Sequence, residues 1–382
     1  MWSPIRVKPL KSLSSRLAGK SMIIESIELK NYRNYKELHM EFNQGTNILY
    51  GDNAQGKTNI LEAVYVCCTS KSHKSAKDRD IIRFNQDESH IKLQIRKNNV
   101  PYRIDMHLKK NKPKGIAING VPIRKASELF GIANVVFFSP EDLNIIKNGP
   151  GERRRFMDAE LCQLDKVYVH SLVQYNKVLL QRNKLLKELV FHPEYEATLD
   201  VWDEQLVRFG KEVIKARRNF INQLGGIIKE LHTKLSGGKE NIGVVYDPDT
   251  EEDELEEVIR KSRLQDMKQK TTLAGPHRDD ISFVVNGIDI RRFGSQGQQR
   301  TAALSLKLSE LELVKKISRD DPVLLLDDVL SELDSSRQNQ LLDAIQDIQT
   351  MITCTGLEDF VNHRFHIDKI FKVEEGKVTS QN

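Results

Sequence analysis

The sequence predicts an α/β protein in which both chain ends build one lobe and a mainly helical lobe is inserted between them. Three observations predict it. Strand patterns fill the first third of the 382 residues, a stretch rich in Leu, Lys, Arg, Glu and Gln runs from about 151 to 235, and strand patterns return after Thr271. Alternating apolar positions mark half-buried strands, and long runs without Gly or Pro mark helices. The expected limits are 22–125 plus 270–382 for the first lobe and 126–269 for the inserted lobe, or arm.

Ile23, Ile27 and Leu29 open the first strand, and Leu38, Met40 and Phe42 alternate as the second. Asn47–Tyr50 is a short apolar strand running straight into a glycine loop, followed by a helix over Asn59–Cys68. Ile91–Ile95 and Tyr102–Leu108 read as strands, and Asn119-Gly120 is a hairpin turn signal between Ile116–Ile118 and Val121–Ile123. The middle predicts two long helices, roughly 152–190 and 197–235, folded back near Phe191–Tyr195, where Pro193 interrupts the pattern. The acidic run Glu251–Glu257 opens a short helix. A hairpin over Ile281–Ile290, a helix over Gln298–Ile317, a buried strand Val323–Leu326, a helix Ser335–Gln346, a buried strand Met351–Cys354 and a closing hairpin Ile370–Thr379 complete the chain. Residues 1–21 are basic and Ser-rich with no apolar core, so they are expected to be a disordered extension ahead of Met22.

Composition narrows the class. The net charge of +5 is a mild basic bias that suits an anionic partner without requiring one. No apolar run approaches the roughly 20 residues that span a bilayer, so no membrane partner is expected. Cys67, Cys68, Cys162 and Cys354 have the spacing of neither a zinc site nor a disulfide framework, which fits a reduced, cytoplasmic protein. His363 and His366 are three apart but lack companion ligands, which argues against a metal site there.

The chemistry begins at Gly51-Asp52-Asn53-Ala54-Gln55-Gly56-Lys57-Thr58, a P-loop between an apolar strand and a helix, with Asn59 next in the chain. Its backbone N–H groups cradle phosphates, Lys57 places a charge on the β and γ phosphates, and Thr58 offers a hydroxyl to Mg2+. The expected cofactors are therefore ATP and Mg2+. Val323-Leu324-Leu325-Leu326-Asp327-Asp328 has the form of a Walker B strand, with Asp327 as a metal ligand and Asp328 as general base toward the attacking water. Gly294-Ser295-Gln296-Gly297-Gln298-Gln299-Arg300 opens the helix that leads into that strand, and Ser331-Glu332-Leu333-Asp334 follows it. These two resemble the signature motif and the D-loop of ABC-type ATPases, with Ser295 to Gln299 closing on ATP held by another subunit. The fold expected is an ABC-type P-loop ATPase head.

Longer strings are more specific. Leu29-Lys30-Asn31-Tyr32-Arg33-Asn34-Tyr35, Ser139-Pro140-Glu141-Asp142-Leu143, Gly149–Asp158, Gly275-Pro276-His277-Arg278-Asp279-Asp280, Gly294–Arg300 and Leu325–Asp334 resemble the RecF family, recombination-mediator ATPases related to SMC heads. That resemblance spans Met22 to the C-terminus. It implies an ATP-dependent homodimer on double-stranded DNA, slow DNA-stimulated hydrolysis, and loading of recombinase at gaps with RecO and RecR. Two departures stand out. Asp328 replaces the usual Glu base, and Thr353-Cys354-Thr355 stands where a switch histidine is expected, which suggests weak hydrolysis. An ABC transporter subunit would need a motif closer to LSGGQ and that histidine. An SMC protein would need far longer helical arms. Candidate DNA contacts are Lys71 and Lys74, Lys109 and Lys110, and Arg153 and Arg154, with Lys215, Arg217 and Arg218 a further basic cluster. Gly275–Asp280 reads equally as a structural corner or as a DNA or nucleotide contact.

Overall fold

A computed structural model describes residues 22–74, 77–345, 347–357 and 366–381. The expectations for residues 1–21 and for His363 lie outside them. The chain opens with β1 (Met22–Tyr32), β2 (Tyr35–Glu41) and β3 (Thr46–Tyr50), then α1 (Lys57–Thr69) and the single turn α2 (Asp78–Ile81). Next come β4 (Glu88–Lys97), β5 (Val100–Lys109), β6 (Gly115–Ile118), β7 (Val121–Pro122) and β8 (Val135–Phe138). The helical stretch holds α3 (Leu143–Lys147), α4 (Pro150–Leu164), α5 (Lys166–Glu188) and α6 (Leu199–Leu235). After β9 (Ile242–Asp247) and α7 (Leu255–Gln269) come β10 (Asp280–Val285), β11 (Ile288–Asp289), α8 (Ile290–Phe293) and α9 (Gln296–Ser318). The chain closes with β12 (Val323–Asp327), α10 (Ser335–Ala344), β13 (Thr350–Cys354), β14 (Lys369–Glu374) and β15 (Lys377–Gln381).

Two six-stranded sheets form the nucleotide-binding lobe. One is antiparallel, in the order β2-β1-β4-β5-β6-β7; the other has the order β15-β14-β3-β13-β12-β8, with β8, β12, β13, β3 and β14 parallel. Helix α1 lies between the sheets, and almost every residue of it from Ile60 onward is buried. The central strands of the parallel sheet are apolar throughout because both faces are covered. Val323 and Leu325 of β12 pack toward α1 and the antiparallel sheet. Leu324 and Leu326 pack the other way, against Leu304, Leu308 and Leu311 of α9 and Leu341 of α10. Period-2 alternation thus places Asp327, the next residue of β12, at the end of the strand facing α1.

The arm has its own core, in which α4, α5 and α6 meet a three-stranded sheet of order β11-β10-β9. Two differences from expectation follow. The long helix expected over 152–190 is two helices, because the Asp165 side chain accepts hydrogen bonds from the Val167 and Tyr168 amides and starts α5 afresh. The run has no Gly or Pro at that point to reveal the break. The expected lobe limits also shift. Val135–Phe138 is the edge strand of the parallel sheet, and Asp280–Asp289 pairs with or extends from β9 of the arm. Strand partners are chosen across long sequence separations, so composition alone misassigned both segments.

Gly275–Asp280 is a structural corner. Arg217 of α6, almost fully buried, donates to the Pro276 carbonyl (2.6 Å), to Asp279 (2.9 Å) and to Asp158 of α4 (2.8 Å). Asp279 also accepts from the Asp249 amide and the Tyr246 hydroxyl. Arg153, likewise buried, forks onto Asp280 and donates to the carbonyls of Ile145 and Asn148. Gly275 has φ +124°, and a Cβ there would lie 2.6 Å from the Tyr175 hydroxyl. Arg153 is therefore not a DNA contact, and neither is Arg217: both spend their donors inside the protein. Arg154 also turns inward, onto the Asp279 carbonyl. Removing one partner of a buried pair strands the other charge. Arg217→Ala should lower unfolding stability by about 3–5 kcal/mol in urea titrations while nucleotide affinity of the folded fraction stays within about twofold.

Candidate nucleotide-binding site

The P-loop is an open turn between β3 and α1. Gly51 (φ +151°), Ala54 (φ +65°) and Gly56 (φ +108°) carry the reversals that a loop this tight needs. Crowding adds a second demand for glycine at its two ends. A Cβ on Gly51 would meet the Val373 carbonyl at 2.2 Å, and one on Gly56 would meet Asn34 at 2.4 Å. The Lys57 ammonium donates to the carbonyls of Gly51 (2.5 Å) and Asp52 (2.8 Å). Burial holds its pKa below the ordinary lysine value, although Asp328, Asp327 and Asp52 oppose this. Gly56 caps the start of α1, so the first-turn amides of that helix face the loop.

The strand-end carboxylates meet the P-loop directly. The Thr58 hydroxyl donates to Asp327 Oδ1 at 2.7 Å across 269 residues of sequence. The Thr353 hydroxyl of β13 donates to the same oxygen at 2.8 Å and accepts the Asp328 amide at 3.0 Å. Burial pushes the Asp327 carboxyl above the usual aspartate range, and the two hydroxyls do not offset it. Asp328 sits at φ +52°, a left-handed conformation of modest cost that Asp tolerates better than most residues. Its carboxylate accepts from Ser331 Oγ at 3.2 Å. A hydroxyl and a carboxylate in contact are the hard oxygen donors that suit Mg2+. The residues present therefore fit the cofactors read from the sequence.

Several neighbours shape the site through contacts that the motifs do not describe. Thr353, read only as the absence of a histidine, fixes both carboxylate residues with one hydroxyl. The turn after β1 walls the loop: Asn34 donates to the Gln55 carbonyl (3.1 Å), Tyr35 to the Gly56 carbonyl (3.0 Å), and Asn59 to Asn34 (2.9 Å). Arg33 forks onto Glu62 of α1 at 2.8 and 2.7 Å, and Ser72 donates to the same carboxylate at 2.6 Å. This pins the segment 71–74 to α1, close enough for the charge of Lys74 to act on Asp327. Lys71 and Lys74 are exposed, so this pair remains a candidate phosphate contact. Lys109 and Lys110 lie instead in surface ion pairs with Glu88 (3.2 Å) and Asp87 (3.3 Å).

Ser295 is the N-cap of α9, with a reciprocal bond to Gln298. Ser295, Gln296 and Gly297 are exposed, and Gln298 is half-buried. Gln299 is buried and donates to the Ile290 carbonyl, so it positions the motif rather than meeting a ligand. Asp334 caps α10. Among the described residues, no hydrogen bond or ion pair joins 294–300 to 51–59.

With this geometry in hand, likeness to known proteins becomes informative. The family model described as RecF/RecN/SMC N terminal domain matches residues 23–379. DNA replication and repair protein RecF of Lachnospira eligens is 63% identical over 363 residues, covering 94% of this chain and all of the relative. This chain belongs to the RecF family of DNA replication and repair proteins. The RecF of Clostridium perfringens is 45% identical over 362 residues, with 94% of this chain and 99% of that protein covered. A RecF solved with ATP, a recombination mediator of the RecFOR pathway, is 35% identical with a TM-score of 0.89 over 96% of this chain and 99% of that one. An Smc head from Pyrococcus furiosus, 17% identical with a TM-score of 0.55 over 94% of this chain and 96% of that one, shares the fold alone. The arm's two longest helices, α5 and α6, run for 23 and 37 residues. No described helix is long and apolar enough to cross a membrane.

Thr353→Val keeps the volume but leaves the Asp328 amide without an acceptor and Asp327 with one hydroxyl fewer. An unpaired buried donor costs about 1–3 kcal/mol. Hydrolysis should fall roughly fivefold if about half of that is felt in the transition state, and Thr353→Ser should restore it. Steady-state phosphate release by the two variants checks this.

Proposed function

We propose that this chain is an ATP-dependent, double-stranded-DNA-binding ATPase that dimerises on ATP. We propose further that it acts with RecR and RecO to help load recombinase at gapped DNA. The observation that carries the reading is the contact of Thr58 with Asp327, which joins P-loop and Walker B residues beside a second carboxylate, Asp328. The relative solved with ATP and its RecFOR setting support the ligand and the partners.

The roles divide as follows. Lys57 exchanges its carbonyl partners for phosphate oxygens, and the loop amides hold the same phosphates. Thr58 and Asp327 hold Mg2+, which when bound neutralises charge on the transferring phosphoryl group. Asp328 takes a proton from the attacking water. Its side chain is one methylene shorter than the usual Glu, which suits slow turnover. Ser295 and Gly297, exposed at the start of α9, close on the nucleotide held by a second copy. Hydrolysis then removes the group bridging the two copies, so the dimer opens and DNA is released without a motor stroke. Lys71 and Lys74, exposed beside the site, are the DNA contacts this reading favours.

Three measurements test it. Asp328→Asn should keep ATP binding, slow turnover and accumulate the dimer, whereas Asp327→Asn should lose Mg2+-dependent binding; equal loss of binding in both would refute the division of roles. ATP should raise affinity for double-stranded DNA in gel-shift titrations, and raising salt from about 50 to 200 mM should lower it steeply with little sequence preference. Ser295→Arg should bind ATP as a monomer nearly as the parent does, yet neither dimerise in light scattering nor hydrolyse. Dimerisation of that variant with ATP would overturn the trans arrangement.

A further inference from the structure

The two motifs that reach for a partner's nucleotide are joined within one chain by a single guanidinium. Arg337, in the first turn of α10, donates from Nη1 to the Asp334 carboxylate and from Nη2 to the Thr301 hydroxyl at 2.6 Å. Thr301 donates its own proton to the Gly297 carbonyl at 2.8 Å, so toward Arg337 it can only accept. Asp334 also accepts the Arg337 amide at 3.1 Å. A continuous hydrogen-bonded path therefore runs from Asp334 to Gly297, the exposed ends of α10 and α9. One turn further along α9, Ser305 donates to the Thr301 carbonyl (2.7 Å) and meets His232 of α6 (2.9 Å). The signature helix is thus held to the arm at Ser305 and to the D-loop at Thr301.

The plain alternative is a helix-surface ion pair of the i,i+3 kind, which contributes little. Its geometry does not match. The second branch of the guanidinium leaves its own helix and meets a hydroxyl 36 residues away. The side chain is only 27% exposed, and its Nε is buried with no partner among the described residues. A half-buried cation held at both ends is a strut whose fork geometry a lysine cannot reproduce.

We propose that Arg337 is a positioning residue for hydrolysis, holding Asp334 and Gly297 at fixed spacing so that D-loop and signature close on the partner's nucleotide as one edge. This rests on the trans arrangement proposed above. Arg337 touches no nucleotide in this scheme and acts through the groups at its two ends. Losing the strut leaves both motifs present but lets them approach independently, so closure occurs less often and kcat falls while nucleotide binding by the monomer does not.

The test uses the full chain with Arg337→Ala, Thr301→Val, both together, and Thr301→Ser. Monomer affinity for a fluorescent ATP analogue should stay within about twofold in all four. ATP-driven dimerisation and kcat should fall roughly tenfold in each single variant except Thr301→Ser, which should match the parent. The double variant should be no worse than either single one, because both cut the same path. A kcat within about twofold of the parent in Arg337→Ala, an additive double variant, or a matching loss of monomer nucleotide affinity overturns the proposal. Should Arg337→Ala fail to fold, Thr301→Val against Thr301→Ser decides. Ser295→Arg run alongside separates the two ideas: if it dimerises and hydrolyses normally, the trans arrangement itself fails. If it is inactive while Arg337→Ala is unchanged, only the strut fails.

Discussion

One carboxylate oxygen, Asp327 Oδ1, receives hydroxyl protons from Thr58 on the P-loop helix and from Thr353 on the neighbouring strand. Everything at the site depends on where that oxygen lies. The parallel order of the adjacent strands β3, β13 and β12 brings the three segments together at the carboxyl end of the sheet, and the apolar filling of both faces keeps them there. Burial costs the charged carboxylate part of its solvation, which raises its proton affinity. A positive charge beside it would offset that loss. Asp328 leaves the sheet through a left-handed turn just where its side chain must stand apart from its neighbour.

Two groups of basic residues in this chain have opposite surroundings. Arg153, Arg182 and Arg217 are fully buried and use their forked donors to tie helices and turns of the arm together. Lys71 and Lys74 stay in solvent. The chemistry of the two side chains explains the split. A guanidinium presents five donors in a plane and is weakly hydrated, so it can be buried when carbonyls and carboxylates surround it. An ammonium is strongly hydrated and remains outside unless its charge is used. Counting Lys and Arg together as a DNA-binding surface therefore overstates the surface available.

The signature helix links these two worlds. It is buried through its middle, from Thr301 to Leu311, packed between the parallel sheet and the arm, with its two ends open. A helix held this firmly along its body transmits the position of its neighbours to its tip. Among the described residues, the arm therefore meets the ATPase lobe through α9 and makes no hydrogen bond to the P-loop.

Much of this was legible in the sequence, because local chemistry dictates it. The P-loop needs glycine at fixed spacing, a doubly covered strand must be apolar, and a serine before a helix must cap it, so Gly51 to Thr58, Val323 to Asp328 and Ser295 could be read without a structure. The fold family followed from their order. Other features depend on what lies across the fold. Thr353 looked like a missing histidine until β13 lay beside β12. Arg153 and Arg217 looked like exposed charge until Asp280 and Asp279 met them, and Gly275–Asp280 read equally as a corner or a ligand contact until the helices of the arm closed around it. The places of β8 and β10 in their sheets were hidden for the same reason. Strand pairing and burial are set by partners distant in sequence, and one chain read in order carries no record of which residues will be neighbours.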